Sequence, residues 1–183
     1  MRITADHETR NATPNTAPAL SGRWLVDPQA SHARFVAGAL AGLVKTPGRF
    51  RALSGDLAVD QAYTAGALVI DSSSIDTGNR IRDRHLRSRG FFDVKRHPQL
   101  RYEAHSISSQ DPGRARIDGQ LIVADTCTPL ALHVTLHVPT DGVVELTCHT
   151  EVDRVALGVR GARGVVPRAV QLDVEITLRR AIT

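Results

Sequence analysis

The chain of 183 residues is poor in aromatic side chains: one Trp, two Tyr and four Phe make up 4% of it. It has one Met and two Cys, and Lys45 and Lys95 are its only lysines. A fold that encloses space has few rings with which to fill it. No run of 18 apolar residues exists, so no helix spans a bilayer. The opening 22 residues, MRITADHETRNATPNTAPALSG, have no apolar core of the kind a secretory signal carries. They are rich in Thr, Asn, Ala and Pro and read as a disordered lead-in over 1–22, followed by one domain over 23–180. Cytoplasmic placement is the default expectation.

Cys127 and Cys148 do not read as a disulfide. They lie on two alternating runs joined by the turn PTDG, and hairpin pairing sets Cys148 opposite Leu132 or Val134. Cys127 then stands roughly 16 Å or more along the strand, beyond the ~7 Å Cα separation a disulfide bridges. Free thiols agree with a reducing compartment.

Period-two alternation is abundant. LALHVTLHV (130–138) sets Leu130, Leu132, Val134, Leu136 and Val138 on one face and Ala131, His133, Thr135 and His137 on the other. VQLDVEITL (170–178), RARIDGQLIVA (114–124), QLRYEAHSI (99–107) and VELTCHTEV (144–152) alternate similarly. HARFVAGAL (32–40), GRFRALSGDLAVD (48–60) and ALVIDSS (67–73) read as further strands. One wet and one buried face is the pattern of antiparallel sheet. About eight such strands, punctuated by DPQAS, QAYTAG, QDPG, PTDG and GARGVVP, predict an all-β sandwich or a closed barrel. Closure removes the edges that long strands would otherwise expose.

One segment interrupts the strands. NRIRDRHLRS (79–88) fits a short helix, with Asn79 as N-cap and Gly90 beyond its end. From Arg80 to Arg101 the chain carries eight Lys or Arg against Asp83 and Asp93, a local +6 in a protein of net charge +4. Such a run either grips an anion or is a solvated face, and the solvated face is the commoner outcome. Adjacent Phe91 and Phe92 follow it; on an extended segment they would point to opposite sides.

No metal or catalytic constellation is visible. His133 and His137 lie about 13 Å apart on a strand, too far to share an ion held by bonds near 2 Å. His85 and Asp83, two apart on a helix, point to different sides. The motifs G-x-S-x-G, H-E-x-x-H and G-x-x-x-x-G-K-[ST] are absent. GVRGARG (158–164) reads as a flexible loop, with a phosphate cradle the weaker alternative.

SIDTGNRIRDRHLRSRGFFDVKRHPQLRY resembles the central motif of the YceI-like family, the polyisoprenoid-binding proteins of bacteria. The matching features are Ser74-Ile75, Thr77-Gly78-Asn79, Arg82-Asp83, His85-Leu86, Phe91-Phe92-Asp93-Val94 and Pro98. WLVDPQASHARF, GRFRALSGDLAVD and DGQLIVADTCTPLALHVTL resemble other segments of that family, and DRVALG does so weakly. The likeness runs in order over about 23–179. It implies a single eight-stranded, lipocalin-like antiparallel barrel with one short helix, holding a long isoprenoid or similar amphiphile. Burial would do the binding, at about 0.8 kcal/mol per methylene, with no cofactor, metal or covalent chemistry.

On that reading the cavity-lining candidates are Phe35, Phe91, Leu100, Tyr102, Leu130, Leu132, Val134, Leu146, Leu172 and Val174. The small residues Ala104, Ala115 and Gly119 leave room. Arg84 and Arg87 are candidate head-group contacts. Alternation alone does not separate residues that line a cavity from those that pack a closed end. Two other functions stay open: binding of nucleic acid or another anionic partner through Arg80–Arg101, and a barrel enzyme acting on a small apolar substrate. Nucleic acid ranks below lipid, because stacking aromatics are missing from the wet faces. A homodimer is also left open.

Overall fold

The computed structural model describes residues 20–39, 44–60, 63–161 and 166–182. The lead-in up to residue 19 and the Gly164 end of the GVRGARG loop lie outside them. Among the described residues eleven strands form, in chain order: β1 (Gly22–Val26), β2 (His32–Ala39), β3 (Val44–Phe50), β4 (Leu53–Val59), β5 (Thr64–Asp71), β6 (Ile75–Asp76), β7 (Gln99–Asp111), β8 (Arg114–Val123), β9 (Thr126–Thr140), β10 (Val143–Asp153) and β11 (Ala169–Arg180). The described residues hold one α-helix, α1 (Arg80–Leu86), between β6 and β7, and a 3-10 turn at Ser72–Ser74 before β6. Every pairing is antiparallel.

Eight strands close the barrel in the order β1-β4-β5-β7-β8-β9-β10-β11, and β11 returns to β1. The long hairpins follow from local chemistry. Gly113 and Gly142, both at φ 74°, take the left-handed turn positions after Pro112 and Asp141. The β9–β10 hairpin pairs Cys148 with Val134, as the sequence predicts. Cys148 is buried and Cys127 exposed, both as free thiols.

The run 48–60 is two strands rather than the single one expected. Arg51 and Ala52 break it, so that β3 pairs with β2 while β4 pairs with β1. β11 is shared correspondingly: Val170–Glu175 pair with β2, and Leu178–Arg180 pair with β1. β3 continues into a short pairing with β6. The barrel therefore has a fully closed half around β1 and β4 and a second half whose wall is extended by β2, β3 and β6.

The closed half is largely filled by side chains. Trp24, 2% exposed, plugs it together with Leu20, Leu57, Val144, Ile176 and Leu178. The Trp24 indole Nε1–H donates to the Leu20 carbonyl at 2.8 Å, and the Arg180 guanidinium lies 4.6 Å from the ring centre. Tyr102 reaches from β7 over β8, where its hydroxyl lies 3.1 Å from the Ile117 carbonyl and 3.0 Å from that of Leu130. Gly119 makes this geometry feasible, since a Cβ there would stand 2.8 Å from the phenol.

The β3–β6 seam is electrostatic. Asp76 accepts from Arg49, Arg51 and the Gly78 N–H. The Gly78 bond, then Arg51, hold its carboxyl at about 2 against an ordinary 3.8. A depressed carboxyl stabilises the native state above its unfolded pKa, and that stabilisation is lost as pH falls through the folded one. The melting temperature should therefore drop between pH 4 and 2, with a shallower slope in Asp76→Asn than in the parent. Identical slopes in a thermal-melt series would remove Asp76 from the acid response.

Candidate functional site: an apolar cavity in the open half of the barrel

The half opposite Trp24 contains a cavity of roughly 230 Å³. Its walls are almost wholly carbon. Ile70, Leu100, Leu121, Val123, Val152 and Leu172 contribute from the strands, and Leu157, Val159 and Val166 from the segment joining β10 to β11. All four phenylalanines of the chain, Phe35, Phe50, Phe91 and Phe92, line it. Three form a contiguous row: Phe35 and Phe50 centroids lie 5.8 Å apart, and Phe50 meets Phe92 edge-on at 5.9 Å. Gly48 on β3 faces Phe35 on β2, and a Cβ there would overlap the ring at 2.2 Å. Few rings are present, and most of them are committed to this one space.

Phe91 and Phe92 both reach the cavity because their segment is not extended. Phe91 N–H donates to the Ser88 carbonyl and Phe92 N–H to that of Leu86, which coils the chain into consecutive turns. Asp93 adds to the coil with φ 44°. The opposite-faces argument applies only to an extended segment, and this segment is a turn.

The motif around α1 holds that segment in place. The Asn79 side chain accepts from the N–H groups of Ile81 and Arg82, capping the helix as expected. Asp83 is buried and accepts from both the Thr77 N–H, at 2.9 Å, and the Thr77 hydroxyl, at 2.6 Å. Arg82 donates to the Thr77 hydroxyl oxygen and carbonyl. Arg87 donates to the carbonyls of Ser73 and Ile75, pinning the end of the helix to β6. The TGN and RD residues of the motif are thus a clamp that seats α1, with the Arg82 stem and Leu86 facing the cavity.

A second clamp shapes the opposite wall. Arg154, nearly fully buried, donates to the carbonyls of Val159, Gly161, Val166 and Pro167. It gathers the segment that follows β10 around one guanidinium. Gly161 from this segment packs against Gly90 and the Phe91 ring.

The candidates from the sequence divide between the two halves. Phe35, Phe91, Leu100, Leu172 and Val174 line the main cavity. Tyr102, Leu132, Val134 and Leu146 line a separate space of about 90 Å³ in the closed half, which Val174 also borders. Leu130 packs against the closed-half core and lines neither. Ala104 lines the smaller space, while Ala115 is fully buried in the core. Arg84 is exposed on α1 and, like Arg87, does not line the cavity. Phe50, Phe92, Ile70, Leu121 and Val123 are further lining residues. Register with Leu100 would have found Val123, whereas Leu121 pairs with Tyr102 of the closed half.

The cavity's polar contributions are Arg34, Thr46, Arg82 and Arg154. Arg34 pairs with Glu175 at 2.9 Å, and the other two guanidinia are bonded as described. Among the described residues no carboxylate, histidine, thiol, serine or tyrosine lines it. His133 and His137 are exposed, beside Gln110 and Glu145. The described residues hold no group of three or more potential metal ligands. Burial raises the Tyr102 hydroxyl and the Cys148 thiol above their ordinary pKa values, so both stay protonated near neutrality. The described lining presents an almost wholly hydrocarbon surface.

Comparison with known proteins agrees with this geometry. The family described as YceI-like domain matches residues 24–179. A UPF0312 protein of Ectopseudomonas mendocina is 29% identical over 119 residues, 62% of each chain. One from Vibrio parahaemolyticus is 26% identical over 88 residues, 46% of this chain and 47% of that protein. The chain thus spans about half to three-fifths of the length of these curated relatives. Among solved structures, Burkholderia cenocepacia BcnA superposes with a TM-score of 0.74 at 20% identity, over 83% of this chain and 98% of that one. A polyisoprenoid binding domain from Saccharophagus degradans gives 0.73 at 13% identity, over 86% and 98%. At these identities the structural likeness establishes the fold.

Proposed function

Because this chain belongs to the YceI-like family, we propose that its open-half cavity binds the apolar tail of a long-chain lipid, of isoprenoid type, without chemical transformation. The observation that carries the reading is the lining itself: four phenylalanines and a ring of Leu, Val and Ile, held open by two arginine-centred clamps. A domain that commits most of its aromatic residues to keeping a space apolar, and places no carboxylate, histidine or thiol in the described wall, is built to receive hydrocarbon. One of its structural relatives is a polyisoprenoid binding domain, which supports the choice of ligand class.

At roughly 230 Å³ the cavity is smaller than the ~300–1,000 Å³ of typical small-molecule sites. The proposed ligand therefore inserts one end of its chain and leaves the remainder, with any head group, at the mouth. Native mass spectrometry of freshly purified protein, followed by solvent extraction, should find a lipid near one per chain. Protein that emerges empty should take up an environment-sensitive fluorescent fatty probe, displaceable by a prenyl alcohol. Protein that neither carries lipid nor binds the probe would rule the reading out.

A further inference from the structure

The outer side of α1 and the turns after it carry charge that the other described residues do not neutralise. Elsewhere the arginines are mostly engaged: Arg49 and Arg51 with Asp76, Arg101 with Glu103, Arg116 with Asp118, Arg168 with Asp153 and Arg179 with Asp27. Arg80, Arg84, Arg89 and Lys95 are exposed and have no ion-pair or hydrogen-bond partner among the described residues. Arg80 and Arg84 are four apart on the helix and share a face. Ile81, 78% exposed, stands among them as one of the most exposed large apolar side chains described. The opposite side of the same short segment supplies Leu86, Phe91 and Phe92 to the cavity.

We propose that this face docks on the surface of an anionic lipid bilayer, bringing the cavity to the membrane for exchange of its ligand. Charge complementarity selects the partner: unpaired cations are attracted to acidic head groups, and Ile81 is placed to enter the boundary between head groups and acyl chains. A nucleic acid would instead call for exposed rings on which bases stack; the rings of this segment, Phe91 and Phe92, are turned to the cavity. The inference rests on the lipid-binding reading for its purpose, but the docking itself is measured separately.

The test is co-flotation of the full chain with vesicles of equal phosphatidylglycerol and phosphatidylcholine, against pure phosphatidylcholine, at low and high salt. Binding is expected only with the anionic vesicles, weakening as salt screens the charges. The combined substitution Arg80→Gln, Arg89→Gln and Lys95→Gln should lower partitioning on the order of a hundredfold. Ile81→Asn should lower it several-fold while leaving the salt dependence unchanged. Equal binding to neutral vesicles, or an unaffected triple variant, overturns the proposal. Tighter binding to single-stranded DNA than to anionic vesicles reassigns the face to nucleic acid and also overturns it. The same preparations are titrated with the soluble fatty probe in the absence of vesicles. Probe uptake without flotation sinks docking and spares the cavity; flotation without probe uptake sinks the cavity reading and spares docking.

Discussion

Replacing Leu172 by tryptophan is expected to weaken binding of a fatty probe about 50-fold while leaving the barrel folded. Leu172 sits on β11, half-buried, with its side chain in the main cavity. An indole there occupies space that a lipid tail would fill. Excluding three methylenes at about 0.8 kcal/mol each removes ~2.4 kcal/mol, which is close to 50-fold in Kd. The new ring enters open space rather than a filled core, so the usual overpacking cost of about 1–3 kcal/mol should be only partly incurred. Gln171→Trp, one residue earlier on the exposed face, is the control and should bind like the parent. Equal affinity in a folded Leu172→Trp variant would show that the tail binds elsewhere.

Trp24→Ala should have the largest effect on stability and little on the cavity. The substitution empties the centre of the closed half, where Trp24 is 2% exposed. Large-to-small changes of this kind cost about 3–5 kcal/mol, which for a domain of this size lowers the melting temperature on the order of 10 °C. The Leu20 carbonyl also loses its donor. Trp24→Phe, which keeps most of the volume, should cost less, about 1–3 kcal/mol for the lost hydrogen bond and the unfilled remainder. A melting temperature within 2–3 °C of the parent for Trp24→Ala, roughly 1 kcal/mol, would mean that the closed half does not carry the stability assigned to it. Thermal melts followed by far-ultraviolet circular dichroism, with chemical denaturation for the free-energy difference, measure both variants.

Most of the barrel was legible because antiparallel strands with one wet face write period two into the sequence. The β9 run is the clearest case: Val134 is buried and His133 exposed, as alternation requires. The short helix was legible from its cap, Asn79, and its bounds fall within those expected. What alternation does not encode is depth along the barrel axis. Leu100 and Tyr102 share a face of β7, yet one lines the main cavity and the other the closed half. Their separation depends on strand stagger, which is a property of the whole sheet. The break at Arg51–Ala52 was hidden for a related reason, since the residues on either side of it both alternate. The motif residues Thr77, Arg82 and Asp83 stood out in sequence, but their mutual bonds required the chain to fold back from α1 onto β6.

The sharing of β11 between two partners separates the molecule energetically. Val170–Glu175 pair with β2, and Leu178–Arg180 with β1. Peeling β2 and β3 away from β11 would break the first set of ladder bonds and the short β3–β6 pairing, and would leave the eight-strand closure, with Trp24 inside it, paired. Amide protons of β2 and β3 are accordingly expected to exchange through a lower-energy opening than those of β1 and β4, in the sense in which hydrogen exchange divides proteins into independently opening parts. Widening of the cavity wall is then expected as a local fluctuation, separate from global unfolding.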